Sequence, residues 1–418
     1  MWLVKILHEL FAKVRGSQTA TLTLWLLVSQ LLAAGVSFVV NIIAAYGLDP
    51  DQRGLLAFYL QIGYLFTTFL LLGTEKPFLA NVQARFSPAV ALLLRIVRPS
   101  YIIIAVIFVG VLGLYAFGFT AIAAPIGLVA VFIICNQHLR IIRAAYITSG
   151  DLRPFLTVIT TTNVLTLAFA VLLAVLQHGN FLTWLLAYVV ANVIATVYVA
   201  KSAFVARDDE LIQLDLIRAI QRQGLRLLPA SLGNITLFRP DRLLLPLLAS
   251  PAALGVYIVV SAALEVAVWP VQQWSDSKMR QWQQTRPFAN PRLRLTIVSK
   301  AALGVLGIAL ACSAVLVPVV LWVLPDEYNA SLMLILPITC ANILFGASRA
   351  QQGIAISGNR SGLVSTAEVS GLLVSVGAYI VLIPLFGGMG AAVGSIIGNS
   401  VCFAVTELGI WLARPAEE

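Results

Sequence analysis

Charge is what this chain has least of. Only 11% of its 418 residues are charged, while 60% are hydrophobic. An ordinary soluble domain is about 25% charged and about 45–50% apolar. A water-soluble core cannot absorb such an excess, so the solvent must be lipid. Cysteine is equally sparse. Cys135, Cys312, Cys340 and Cys402 are scattered through apolar runs. They lack the spacing of a disulfide framework or a metal site and read as small packing residues. Histidine is represented only by His8, His138 and His178. So few, so widely dispersed, exclude an ordinary zinc centre.

What is present is a succession of long apolar runs. A bilayer core of about 30 Å needs roughly 20 apolar residues in a helix. Such runs are expected near 20–46, 54–73, 99–118, 121–142, 155–176 and 181–203. A second set follows near 225–249, 252–274, 297–324, 330–350, 362–386 and 388–412. This predicts an all-α integral membrane protein with about twelve transmembrane helices. The first run is too long for a signal-peptide core and no A-x-A-like cleavage site follows it, so it is expected to be retained. Before it, Trp2, Leu3, Ile6, Leu7, Leu10, Phe11 and Val14 fall on one helical face. That pattern predicts an interfacial amphipathic helix over 1–18.

The basic residues fix an orientation. With the N-terminus placed in the cytoplasm, all of the 27 basic residues except Arg53, Arg239 and Arg242 fall in cytoplasmic segments. This is the positive-inside pattern. It puts both termini in the cytoplasm and accounts for the net charge of +9 without nucleic acid, because these charges face anionic lipid. The outer loops are only a few residues long, so no soluble domain is inserted among the spans.

The two sets of spans echo each other. Asp51-Gln52-Arg53-Gly54-Leu55 follows the first span, and Pro251-Ala252-Ala253-Leu254-Gly255 follows the seventh. Ser149-Gly150 and Ser357-Gly358 follow the fourth and tenth, and Asn192 and Asn399 occupy the sixth and twelfth. These matches keep one order and nearly one offset. An even number of spans per half gives a parallel repeat. The expected divisions are a six-helix lobe over 19–203, a cytoplasmic linker helix over 204–224, a second six-helix lobe over 225–413 and a tail over 414–418. Leu211, Ile212, Leu214, Leu216, Ile217 and Ile220 make the linker amphipathic.

Charge inside lipid marks the candidate site. An Arg or Asp at mid-bilayer costs roughly 2.5–3.5 kcal/mol on insertion scales. Arg239, Asp241 and Arg242 all lie within the seventh run, which Pro229, Pro240 and Pro246 should loosen. Paired guanidiniums suit phosphate oxygens, since each fork makes charge-assisted hydrogen bonds. A structural ion network, Asp241 with Arg242 or Arg239 with Glu265, is the competing reading. Glu265 and Glu368 are intramembrane acids able to take a coupling proton, and Asp241 joins them as an ion-coupling candidate. Glu407, nearer a span end, reads as a snorkelling or capping residue. The other intramembrane amides suit helix–helix hydrogen bonds, with Asn234 raised to a substrate-binding candidate by its place two turns from Asp241. Arg53 and Asp51 are gate candidates, with a solvated loop as the plainer reading.

Several segments together resemble a known family. Tyr46-Gly47-Leu48-Asp49-Pro50-Asp51-Gln52-Arg53-Gly54-Leu55 is similar to its first loop. Arg239-Pro240-Asp241-Arg242-Leu243-Leu244-Leu245, then Leu254-Gly255-Val256-Tyr257, is similar to its seventh-helix Asp motif and following G-x-Y. Asp326-Glu327-Tyr328 and Ile383-Pro384-Leu385-Phe386-Gly387-Gly388 resemble its later loops. The family is the polysaccharide (O-antigen type) flippases of the multidrug/oligosaccharidyl-lipid/polysaccharide exporter superfamily. The chain departs in being short and in carrying an Arg two residues before the Asp.

The resemblance implies a two-lobed transporter in the bacterial inner membrane. It would flip a polyprenyl-pyrophosphate-linked oligosaccharide to the outer leaflet for O-antigen or exopolysaccharide synthesis. Its partners would be membrane lipid, that cargo, and polysaccharide polymerase and export proteins. Neither a catalytic residue nor a cofactor nor a metal is implied. The alternative is a cation-coupled multidrug exporter, disfavoured because the mid-span site holds more Arg than acid. A polytopic glycosyltransferase or polymerase is a further alternative. Its only handle is Asp49-Pro50-Asp51, a nominal divalent-metal pair.

Overall fold

The computed structural model describes residues 33, 35–82, 84–149, 153–177, 179–203, 214–358 and 360–412. The interfacial helix expected over 1–18 and the tail over 414–418 lie outside the described residues, as does the linker's first half. Among the described residues there are helices and no strand. Nine helices among these described residues are long and apolar enough to cross a membrane, and two shorter apolar ones, Gly35–Gly47 (α1) and Phe86–Ile96 (α4), accompany them. The chain is thus a multi-pass membrane protein.

The first of two compact units comprises Met1–Val40, Leu70–Leu172 and Leu186–Arg226. Its described helices include Glu75–Asn81 (α3), α4, Arg98–Ala116 (α5), Thr120–Ser149 (α6), Arg153–Val175 (α7) and Phe181–Ala203 (α8). Leu92, Leu93 and Ile96 bury against Ile141 and Ala145, and Ile217 and Ile220 join the same cluster. The amphipathic stripe of the linker therefore has a seat. Gln221 fixes it by donating to the Ile96 carbonyl at 2.7 Å.

The linker does not stop where the sequence reading ended it. One helix, Leu214–Phe238 (α9), runs through both linker and seventh span. The expected boundary lay between 224 and 225, and Gly224 does not end the helix. Instead it serves a close approach: an added Cβ would lie 2.7 Å from the Leu72 carbonyl oxygen. Pro229 also sits inside α9 without ending it. The break comes at Arg239, whose backbone leaves the helical region at φ −140° and ψ 25°. Pro240, lacking an N–H, cannot continue the ladder and starts Pro240–Leu248 (α10) instead.

The second unit comprises Asn41–Phe69, Leu173–Leu185 and Leu227–Glu418. It holds most of Pro50–Leu70 (α2), then α10, Pro251–Glu265 (α11), Val268–Thr285 (α12) and Pro291–Trp322 (α13). Ile335–Ser357 (α14), Ser361–Phe386 (α15) and Gly388–Leu412 (α16) complete it. Prolines and caps set the starts. Ser250 accepts from the Ala253 N–H at 3.1 Å, and Asn290 accepts from the amides of Arg292 and Leu293. Along α16, Gly390, Gly394 and Gly398 recur every four residues and press directly on Leu382, Tyr379 and Ser375 of α15. Small residues permit such contact in lipid, where apolar burial no longer drives association.

The sharpest contact joins α2 and α11. A Cβ on Gly54 would overlap the Pro251 carbonyl, and one on Gly255 would overlap the Pro50 carbonyl. These are the residues matched between the sequence halves, and the contact is reciprocal. Asp51 reinforces it by accepting the Ala252 N–H at 3.1 Å.

Candidate functional site

The break at Arg239 decides the site. Arg239 becomes the cap of α10, with Asp241 and Arg242 in the first turn. Facing them is α11, on which Tyr257, Ser261 and Glu265 recur every four residues and share one face. Glu265 takes both guanidiniums. Its Oε2 accepts from Arg239 Nη2 at 2.8 Å, and its Oε1 accepts from Arg242 Nη2. Arg242 Nη2 also lies 3.3 Å from Ser261 Oγ. Tyr257 lines the same cavity as Asp241, which makes its hydroxyl a candidate donor to that carboxyl group.

The cluster is buried but imperfectly satisfied. Asp241 and Arg242 are each 5% exposed. Asp241 Oδ1, Arg242 Nε and Asn342 Nδ2 have no hydrogen-bond partner. Asp241, Tyr257, Ser261 and Glu265 line a cavity of about 30 Å³ together with Asn342 of α14 and Ser395 of α16. That is room for about one water, a fitting occupant for polar walls. Arg239 is the open side, with a quarter of its side chain exposed.

The structure thus gathers Arg239, Asp241, Arg242 and Glu265. It also changes the charge argument made from sequence. Two arginines face two acids, so the excess of Arg disappears once Glu265 is counted. Asn234 lies on α9 with its side chain outside the described residues.

Glu368 is placed elsewhere. It pairs with Arg349, 2.8 Å from Nη1, and Arg349 also bonds Gln352 at 3.1 Å and covers the Phe345 ring. The sequence reading counted Arg349 as a membrane-surface charge. It is instead an interior partner, with 11% of its side chain exposed. Glu407, read as snorkelling or capping, accepts from Arg294 at 2.5 Å and from Gln351 at 2.5 Å.

Arg53 is not in a solvated loop. It is 5% exposed and donates to Asn41 Oδ1, while Asn41 reaches the Val259 carbonyl at 3.5 Å. The Asp49–Asp51 pair acts as backbone caps. Asp49 accepts the Gln52 N–H at 2.8 Å, and Asp51 the Ala252 N–H. Among the described residues no group of three or more His, Cys, Asp or Glu is placed to hold a metal ion.

Tyr257 and Ser261 were not read as site residues from the sequence, Tyr257 entering only through the family motif, and Asn342 was read only as a helix–helix amide. The first two were within reach, since with Glu265 they repeat every four residues.

Comparison with known proteins follows from this geometry. A family model described as polysaccharide biosynthesis protein matches residues 21–269, more than half of the chain. No curated protein sequence matches. Among solved structures, an inward-facing multidrug resistance MATE family transporter of the MOP superfamily superposes with a TM-score of 0.67. The pair are 14% identical, over 90% of this chain and 94% of that one. The lipid II flippase MurJ in an inward closed conformation gives a TM-score of 0.66 at 11% identity, covering 92% and 87%. The MATE multidrug transporter DinF-BH gives 0.61 at 16% identity, covering 95% of each. The likeness establishes the fold: an all-α, multi-pass membrane protein folded like these transporters.

Proposed function

The chain belongs to the polysaccharide biosynthesis protein family, and from that premise we propose that it flips a polyprenyl-pyrophosphate-linked oligosaccharide across the bacterial inner membrane. The carrying observation is the pair of guanidiniums at the break of the seventh span, converging on one two-oxygen anion. A pyrophosphate offers the same kind of acceptor to the same two forks. The lipid tail would stay in the bilayer while the head group passes between the lobes, 19–203 and 225–413.

Arg239 and Arg242 would hold the head group, and Asn234 would lie along its approach. Asp241, Glu265 and Glu368 would serve ion coupling. Arg53, buried through Asn41, would gate the outer end. Both termini would be cytoplasmic, and the cargo would move outward for assembly by polymerase and export proteins.

The test is reconstitution in liposomes with a fluorescent lipid-linked oligosaccharide. Arg239→Ala and Arg242→Ala should each slow transbilayer movement at least tenfold, the scale of a lost charge-assisted contact of about 1.5–3 kcal/mol. Unchanged rates in both variants would remove these residues from transport. The even balance of Arg and acid keeps a cation-coupled multidrug exporter as a second reading. Movement of a cationic dye, with none of the lipid-linked sugar, would select it.

A further inference from the structure

Glu265 takes the guanidinium hydrogen bonds that, on the reading proposed above, the cargo's phosphates would take. Each of its oxygens is held by a different arginine, so neither guanidinium presents its Nη2 to a ligand while the carboxylate stays. We infer that Glu265 is a built-in substitute for the cargo's pyrophosphate, released by taking up a proton when the head group binds. This rests on the reading of Arg239 and Arg242 as head-group ligands and adds the event that frees them.

Charge balance is the argument. With Asp241 and Glu265 ionised, the four charges of the cluster cancel. A pyrophosphate diester brings a negative charge on each phosphate. Added to the cluster unchanged, it would leave uncompensated anions in a place that is nine-tenths buried. Such burial is strongly unfavourable. A proton taken up from solvent on Glu265 halves that excess, from two negative charges to one, and breaks both carboxylate–guanidinium pairs. The guanidiniums then turn to phosphate oxygens, and the neutral acid keeps one O–H to donate.

The groups facing Glu265 fit this exchange. From α10 come Arg239, Asp241 and Arg242. Ser261 of its own helix bonds Arg242 and can hold that guanidinium in place. Asn342 of α14 and Ser395 of α16 line the cavity beside it, as does Tyr257. The partly exposed Arg239 gives the incoming phosphate a first contact.

The probe is a short-chain polyprenyl-pyrophosphate N-acetylglucosamine, whose phosphates stay ionised throughout the working range. Its binding to the full chain in detergent is measured by calorimetry in buffers of different ionisation enthalpy. Wild type should take up about one proton per probe, and wherever it does so affinity should fall about tenfold per pH unit. Glu265→Gln should bind more tightly, with no proton uptake and no pH dependence. Zero uptake with flat affinity in wild type overturns the inference and needs no variant. Equal uptake in Glu265→Gln overturns it as well. If Arg239→Ala and Arg242→Ala leave the affinity unchanged, the head-group reading itself fails. If they weaken binding while uptake is zero, only the exchange fails.

Discussion

Replacing Gly54 by Ala inserts a methyl group where α2 and α11 cross. The atoms it meets are the carbonyl of Pro251 and its carbon. A backbone carbonyl at a helix start cannot swing aside as a side-chain tip can. The helices must therefore separate by several tenths of an ångström or more. Overpacking of this kind costs about 1–3 kcal/mol. The cost arises only where the two helices touch, so it biases the chain toward arrangements in which they part. A bias of that size changes a two-state equilibrium by about 5–150-fold. Val259 reports on it, being fully buried beneath the Asn41 contact. In a background stripped of native cysteines, labelling of Val259→Cys by a membrane-impermeant maleimide should speed up by that factor in Gly54→Ala. Gly255→Ala should do the same, because the contact is reciprocal. The double variant should gain less than the sum, since both changes break one contact. Unaltered labelling in Gly54→Ala, with Tm also unaltered, would refute the reasoning.

Two further substitutions test the interior. Arg349→Leu strands Glu368 in the α14–α15 contact and should destabilise by about 3–5 kcal/mol, whereas Arg349→Leu with Glu368→Leu should recover most of the loss. Thermal unfolding in detergent checks this. Tyr257→Phe removes the candidate donor to Asp241 and should cost about 1–3 kcal/mol of stability. An unchanged Tm would show that Asp241 finds another donor.

Much of the helical order was legible in the sequence because lipid imposes a length on each apolar run. The centre of the site was legible too. Charges within apolar runs must find one another, and Arg239, Asp241, Arg242 and Glu265 did. The linker boundary between 224 and 225 was not, since one helix carries both the linker's amphipathic stripe and the seventh span. Arg349 was misplaced for a different reason. An arginine near the end of an apolar run reads as a surface charge until its partner is known, and Glu368 lies on the next helix. Arg53 sat in a loop too short to suggest burial, and only Asn41 from the preceding helix explains it.

The crossing of Gly54 and Gly255 has the form of an isologous joint, the same patch offered by both sides. Such a joint does not depend on the two halves being one polypeptide. A chain made of one six-span half would carry both faces of it and could close on a second copy of itself. Fusion of two copies would then alter connectivity and leave the seam as it was. Every substitution at one glycine is thereby answerable to the other.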